Sequence, residues 1–406
     1  MILQMGWRNI WRNKRRTAVI LAAVIIGVWA MIFMGALMRG IADQMVKNSI
    51  ATLTGHIQVQ NGTFRNDPVI EHFMTEPEKL APVLARLPAD ARWTQRIRVN
   101  AIAANARHSN GVVLVGIDPG REAKISFIGD AVCQGRYLRE DDSYGIIIGQ
   151  ALLEKFETRL GHKLVMMSQG ADGEIASRAF RIVGVFRAEL ESTEKRFMFV
   201  TLPAAQQMLK AGDEVSEVAI LLGNYSDAAA TADTIRAGIA DKSLKVYTWK
   251  DLLPLVSSIM KMYDGFIFIW FIVVFIAMGF GLVNTILMAV FERVREFGLL
   301  RALGMKPRLV VAEVLAESFF LLVIGTFIGN VLGLASVWVL SGTGIDLSAF
   351  AQGMEFAGMS RIIFPVVHAR DVVGADLTVF LLGVLVSMYP AVKAARFTPV
   401  EAMAHV

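Results

Sequence analysis

Glu313 and Glu317 are carboxylates inside an otherwise apolar run, 309–340, and just ahead of it stand Arg293, Arg295, Arg301, Lys306 and Arg308 with Glu292 and Glu296. Ionisable groups in an apolar run are costly to bury and mark an ion path, a proton relay or a contact with protein. The apolar runs hold only these two glutamates, both in the first third of one run, so ion-coupled transport has little support. Glu313, near the helix end, is expected to reach headgroups. Glu317 lies about 80° around a helix from Gly325, and Gly325, Gly329 and Gly333 follow at four-residue spacing. Small residues on one stripe let a second helix approach closely, either within one chain or between subunits. Glu317 is therefore expected to face protein rather than lipid.

Other chemistry is missing from the sequence. No G-x-x-x-x-G-K-[ST] phosphate cradle, H-E-x-x-H or G-x-S-x-G occurs. One cysteine, Cys133, cannot close an intramolecular disulfide and is expected to be an ordinary buried thiol. With six scattered histidines it offers no structural zinc set. No catalytic, cofactor-binding or metal residue is assigned to this chain.

The elements that carry these residues follow from hydropathy. Of 406 residues 54% are hydrophobic and only 19% charged, below the usual quarter for a soluble protein. Residues 17–38 carry no charge, and as a helix they extend roughly 33 Å, enough for a bilayer core of about 30 Å. Further spans are expected at 265–291, 309–340 and 372–392. The first is too long for a signal-peptide core, although Arg8, Arg12, Lys14, Arg15 and Arg16 precede it. Basic flanks stay on the cytoplasmic side, which places the amphipathic segment 1–16, the 292–308 loop and the 393–406 tail there. The 341–371 loop falls on the other side. The net charge of +5 thus records topology and gives no reason to expect nucleic acid.

Residues 39–264 balance acidic with basic side chains and read as a globular α+β domain on the far side. Strands are expected at Ile57 and Val59 before an Asn61-Gly62 turn, at 111–117, 145–149, 163–167 and 180–186, and helices through Phe156, at 204–209 and at 228–239. Ile41, Met45, Val46, Ile50 and Leu53 recur at helical spacing, as do Leu252, Leu253, Val256, Ile259 and Met260. Helices one and two are therefore expected to continue as stiff stalks. The fold class is an α-helical membrane protein with four transmembrane helices and a large α+β extracytoplasmic domain between helices 1 and 2.

The loop Glu292-Arg-Val-Arg-Glu-Phe-Gly-Leu-Leu-Arg-Ala-Leu-Gly304 predicts a short helix over 293–303, ended by Gly304 and Pro307. Arg295, Gly298, Leu299 and Ala302 share one side of it, a thin mixed face fit for a protein groove or for anionic lipid. This loop closely resembles the coupling-helix signature of MacB/FtsX/LolC–LolE-type ABC transporter permeases. Five further stretches are similar to that family: Arg8-Asn-Ile-Trp-Arg-Asn-Lys-Arg-Arg-Thr17, Leu315-Ala-Glu-Ser-Phe-Phe-Leu-Leu-Val-Ile-Gly325, Tyr389-Pro-Ala-Val-Lys-Ala-Ala-Arg-Phe-Thr-Pro-Val-Glu-Ala402, Gly145-Ile-Ile-Ile-Gly-Gln-Ala-Leu and Arg181-Ile-Val-Gly-Val-Phe186.

The resemblance covers nearly the whole chain and lies nearest the lipoprotein-releasing LolC–LolE type in layout. It implies a multi-pass protein of a bacterial inner membrane with a periplasmic domain, paired with a second four-helix permease, identical or paralogous. Two copies of a separate ATPase subunit would bind ATP and Mg. Arg293, Arg295, Glu296, Gly298, Leu299, Arg301, Ala302 and Gly304 would couple to that ATPase. Glu317, Gly325, Gly329 and Gly333 would pack helices or form an interface. The implied work is extraction of lipoprotein or lipid, passed to a periplasmic acceptor. The alternatives are MacB-like efflux of hydrophobic compounds or peptides and FtsX-like signalling to an envelope hydrolase.

Overall fold

The computed structural model describes residues 2–347 and 362–397. Part of the 341–371 loop, part of the 393–406 tail and the last five residues of the C-terminal signature lie outside them. In chain order the helices that matter here are α1 (Ile2–Arg12), α2 (Lys14–Ser49), α3 (Gln150–Lys155), α4 (Leu202–Leu209), α5 (Ala228–Gly238), α6 (Pro254–Glu292), α7 (Val294–Ala302), α8 (Pro307–Thr343) and α9 (Ala369–Arg396). The strands are β1 (Ile57–Asn61), β2 (Arg92–Ala104), β3 (Ser109–Ile117), β4 (Val132–Gly135), β5 (Gly145–Gly149), β6 (Lys163–Gln169), β7 (Ile175–Phe186), β8 (Phe197–Thr201), β9 (Glu217–Leu221) and β10 (Leu244–Thr248). Two compact units result: a helical one holding α1, most of α2, and α6 to α9, and an outer one built from Met45–Ser257.

In the helical unit α2, α6, α8 and α9 are long and apolar enough to cross a membrane. Proline opens α8 at a position where its missing N–H costs nothing. The glycine stripe packs inside the chain: Gly325, Gly329 and Gly333 face Val24, Val28 and Ile32 of α2. A Cβ at Gly325 would stand 2.6 Å from Val24 Cγ1, and one at Gly329 2.7 Å from Val28 Cβ. Only hydrogen fits at those two positions. The constant offset between partners shows α2 and α8 running parallel and in register, an approach that dispersion rewards in lipid, where no hydrophobic effect drives association.

The outer unit is a ten-stranded sheet in the order β10-β1-β9-β2-β3-β8-β5-β7-β4, with β6 bridging β2 and β7. Pairing is antiparallel except β3 with β8 and β5 with β7. One core packs Ile97, Leu114, Ile146, Phe180 and Met198 against the inner side of α4. Phe127, Phe186 and Phe199 meet edge-on in another. The longest strand, β2, is absent from the sequence expectations because Arg92, Arg96 and Arg98 break its apolar pattern. The expected buried thiol is a correction: Cys133 is exposed, because β4 is an edge strand, and its Sγ donates to the Val185 carbonyl at 3.4 Å.

The stalk expectations also change at their far ends. Regular helix one stops at Ser49, and Ile50–Thr54 is a widened turn in which Leu53 takes a left-handed φ of 68°. Before α6 the chain breaks at Leu253, where the following Pro254 excludes α conformation.

Candidate coupling site

The sequence places Arg293 on the loop's coupling helix; the structure turns it inward. Arg293 is the residue just before α7, with non-helical ψ, and only 7% of it is exposed. Its guanidinium reaches three carboxylates: Glu313 at 2.7 Å, Glu317 at 3.1 Å and Glu296 at 3.2 Å. Glu317 also accepts from Arg16 at 2.7 Å, and Glu313 from the Asn9 amide at 2.9 Å. Arg12 donates to both Glu296 oxygens, at 2.5 and 3.2 Å. One hub thus ties α1, the start of α2, α7 and α8 together.

This overturns the expectation that Glu313 reaches headgroups. It is 2% exposed and doubly hydrogen-bonded. Glu317 faces protein, as expected, but the protein is its own chain. α1 makes this possible by packing on α8: Gly6 lies against Ala316, and Trp7 meets Phe320 edge-on at 5.4 Å. Burial by itself would raise the Glu296 carboxyl, but hydrogen bonds from Arg12 and Arg293 outweigh it and hold the group below the ordinary carboxylate range.

The faces of α7 are settled by its apolar residues. Val294, Phe297 and Gly298 at i, i+3 and i+4 turn inward and are buried. Gly298 was expected on the thin outer face, but it lies at that face's border and falls inside, so that part of the expectation is corrected. Arg295, Leu299, Ala302, Leu303 and Gly304 are exposed. Arg301 leaves the outer face too: its Nη1 donates to the carbonyls of Ala395 and Phe397 at the end of α9.

Two polar contacts in the helical unit escaped the sequence reading. Arg39 pairs with Asp264 at 2.6 Å and with both oxygens of Asp371 at 2.6 and 2.9 Å, joining α2, α6 and α9. Asp376 lies inside the expected 372–392 span and accepts from the Asn330 amide at 3.0 and 3.1 Å. Glu313 and Glu317 are therefore not the only carboxylates in the spans. Arg39, Asp264 and Asp371 border the expected spans, which was the available signal for the first contact, whereas Asp376 stands in the expected span itself.

The outer unit has its own buried hub. Arg96 donates to both Glu122 oxygens, at 2.7 and 2.9 Å, approaches Glu217 at 3.4 Å, and bonds the Leu53 carbonyl of the widened turn. Gln58 Nε2 donates to Leu53 and Thr54 as well. The turn that follows α2 is thereby clamped to β1 and β2. His56 Nδ1 accepts from the Leu222 N–H at 2.9 Å, and burial pushes its pKa below the ordinary value. Among the described residues no group of three or more His, Cys, Asp or Glu could hold a metal ion.

Comparison with known proteins accounts for both units. Residues 17–237 match the MacB-like periplasmic core domain, and 253–399 match the FtsX-like permease C-terminal domain. The chain belongs to the MacB/FtsX-like ABC transporter permeases. Similar permeases include the lipoprotein-releasing system transmembrane protein LolC of Neisseria meningitidis serogroup B, 22% identical over 98% of this chain and 98% of LolC. The uncharacterized ABC transporter permease YvrN of Bacillus subtilis is 24% identical over 99% of this chain and 98% of its own length. The macrolide export ATP-binding/permease protein MacB of Mannheimia succiniciproducens is 23% identical over 99% of this chain, which spans 60% of that relative. As in this permease family, a periplasmic-type α/β domain separates the first two of four apolar helices.

Proposed function

We propose that this chain is the membrane subunit of a bacterial inner-membrane ABC transporter that turns ATP hydrolysis by a separate ATPase into work on lipoprotein or lipid outside the cytoplasm. The observation that carries the lipoprotein reading is end-to-end correspondence with LolC, together with 20% identity over 98% of both chains with LolE of Haemophilus influenzae, also a lipoprotein-releasing system transmembrane protein. The ATPase pair binds ATP and Mg. It docks on the exposed side of α7, where Arg295, Leu299, Ala302 and Leu303 offer a charge beside apolar contacts. A second permease, identical or paralogous, completes the unit, and the termini lie in the cytoplasm.

The length of the helices supports mechanical transmission. At 36 and 39 residues, α2 and α6 far exceed the roughly 20 residues a bilayer needs. Movement of α7 would shift Arg293 and, through Glu313 and Glu317, α8 and the base of α2. A second reading, export of a hydrophobic compound or peptide, is favoured by the match to MacB.

The test is reconstitution of the copurified complex in vesicles. ATP is expected to release acylated lipoprotein to an acceptor, and Arg295→Glu to abolish ATPase binding while the chain still inserts. Stimulation of ATP turnover by a macrolide and not by lipoprotein would replace the first reading with the second. Normal assembly and release with Arg295→Glu would remove α7 as the docking element.

A further inference from the structure

The outer unit holds a cleft that the transport reading leaves unused. It measures about 640 Å³, and its walls include Gln58, Gln60, Arg65, Arg98, Asn100 and Arg196, with no Asp or Glu among the described lining residues. Arg98 is neutralised by Glu217 at 2.9 Å. Among the described residues Arg65 bonds only the Asp251 carbonyl, at 2.5 Å, and it lies 5.2 Å from the Tyr247 ring centre. Arg196 lies 5.4 Å from the Phe197 ring centre. Neither Arg65 nor Arg196 pairs with a carboxylate among the described residues, so the cleft presents two cations with unspent donors.

Its wall also encloses unspent acceptors. Gln58 and Gln60 are each 1% exposed, and among the described residues the Oε1 of neither accepts a hydrogen bond. The Gln58 amide cannot be turned to cure this, because its Nε2 already serves the Leu53 and Thr54 carbonyls at 3.3 and 2.8 Å, and a flip would set oxygen against oxygen. A buried acceptor without a donor is costly. Cations for an anion and acceptors for an N–H or O–H thus line one cleft.

A second hollow, of about 760 Å³, shares Asn100, Val113 and Arg196 with the first and is otherwise lined mainly by apolar residues, Ile102 and Ile175 among them. Ile175 is 82% exposed and Ile102 49%. A basic cleft and an apolar groove therefore adjoin at Arg196.

We infer that this double cleft binds an anionic amphiphile of the phospholipid kind. Its phosphodiester lies between Arg65 and Arg196, an acyl chain follows Ile102 and Ile175, and a shift of the wall on binding brings the headgroup's N–H or O–H to the Gln58 and Gln60 oxygens, which are sealed from water in the free protein. Seated there, it would touch the same Gln58 that clamps the turn after α2.

The test uses the full chain in uncharged detergent and phosphatidylethanolamine carrying a photoreactive acyl chain. Crosslinks are expected in β2 and β7. Arg196→Ala should cut them about tenfold, and Gln60→Leu several-fold with an unchanged or higher thermal midpoint, since that change deletes an unpaired buried acceptor. Competition identifies the source. If glycerophosphoethanolamine competes as well as dihexanoylphosphatidylethanolamine, the ligand is a free phosphodiester and the apolar half is overturned; if only the lipid competes, the amphiphile stands. Labelling confined to the membrane helices, unchanged labelling in both variants, or displacement only by an acidic peptide would overturn the site. No ATPase or lipoprotein is present, so cargo release can fail while this site binds, and the reverse.

Discussion

Arg293 and Arg96 are both buried arginines held by glutamates, yet their surroundings differ in kind. Every charged partner that Arg96 hydrogen-bonds is closed from water: Glu122 and Glu217 are both 0% exposed. The Arg293 cluster is graded, running from Glu313 at 3% side-chain exposure to Glu296 at 46% and Arg12 at 57%. Its members also come from separate helices, whereas Glu217 sits directly opposite Arg96 in paired strands. An ion cluster whose centre, Arg96 with Glu122 and Glu217, is sealed and meets water only through Arg98 on Glu217 holds one arrangement, because separating its central members strands charge in a low-dielectric interior. A graded cluster can exchange partners at its wet end at small cost, since exposed pairs contribute only about 0–1 kcal/mol. The first behaves as a rivet, the second as a joint.

The largest effect expected from this contrast is in the outer unit. Arg96→Met leaves Glu122 without its cation and should destabilise that unit by about 3–5 kcal/mol, read as early thermal unfolding and loss of protease resistance. Survival of the wild-type midpoint would refute the rivet. Arg293→Met should cost less stability, about 1–3 kcal/mol, because Arg16 and Asn9 remain beside the glutamates, while ATP-driven release collapses. Within the same cluster Glu317→Ala should impair release more than Glu313→Ala, since it removes the one carboxylate that Arg16 and Arg293 share among the described residues and so cuts the link from α7 to the start of α2. Equal effects would show that Arg16 takes no part.

Gly329→Leu drives a side chain into Val28 and should destabilise the α2–α8 contact by about 1–3 kcal/mol, with loss of assembled protein in membranes as the readout. Gly342→Leu, where a Cβ would meet nothing within 4 Å, is the control. The smallest effect is a pH dependence. His56 has a folded pKa below the ordinary 6.5, so the unfolded chain takes up the proton first as pH falls. Its contribution is complete above pH 6.5 and is progressively lost below it. The outer unit should therefore melt earlier at pH 5.5 than at pH 7.5, and His56→Asn, which keeps an acceptor for Leu222, should flatten that dependence.

The four spans, the strand at 145–149 and the α7 segment were legible because each depends on residues close in sequence. The strands β2 and β9 were hidden by Arg96 and Glu217, since a charge that is paired across strands looks like a surface charge in a linear pattern. The inward turn of Arg293 was equally hidden: a helical wheel groups residues but does not say which arc meets the rest of the protein.

The sequence by itself determined the membrane class, the position of the domain between the first two spans and the family, because hydropathy, charge asymmetry and local motifs survive without knowledge of distant contacts. Tertiary structure alone decided that Gly325, Gly329 and Gly333 serve α2, that Glu313 is caged and not reaching for headgroups, and that Arg39 gathers Asp264 and Asp371. Each of those outcomes joins residues hundreds of positions apart, and only the register between packed helices fixes which of many equally charged or equally small residues meet.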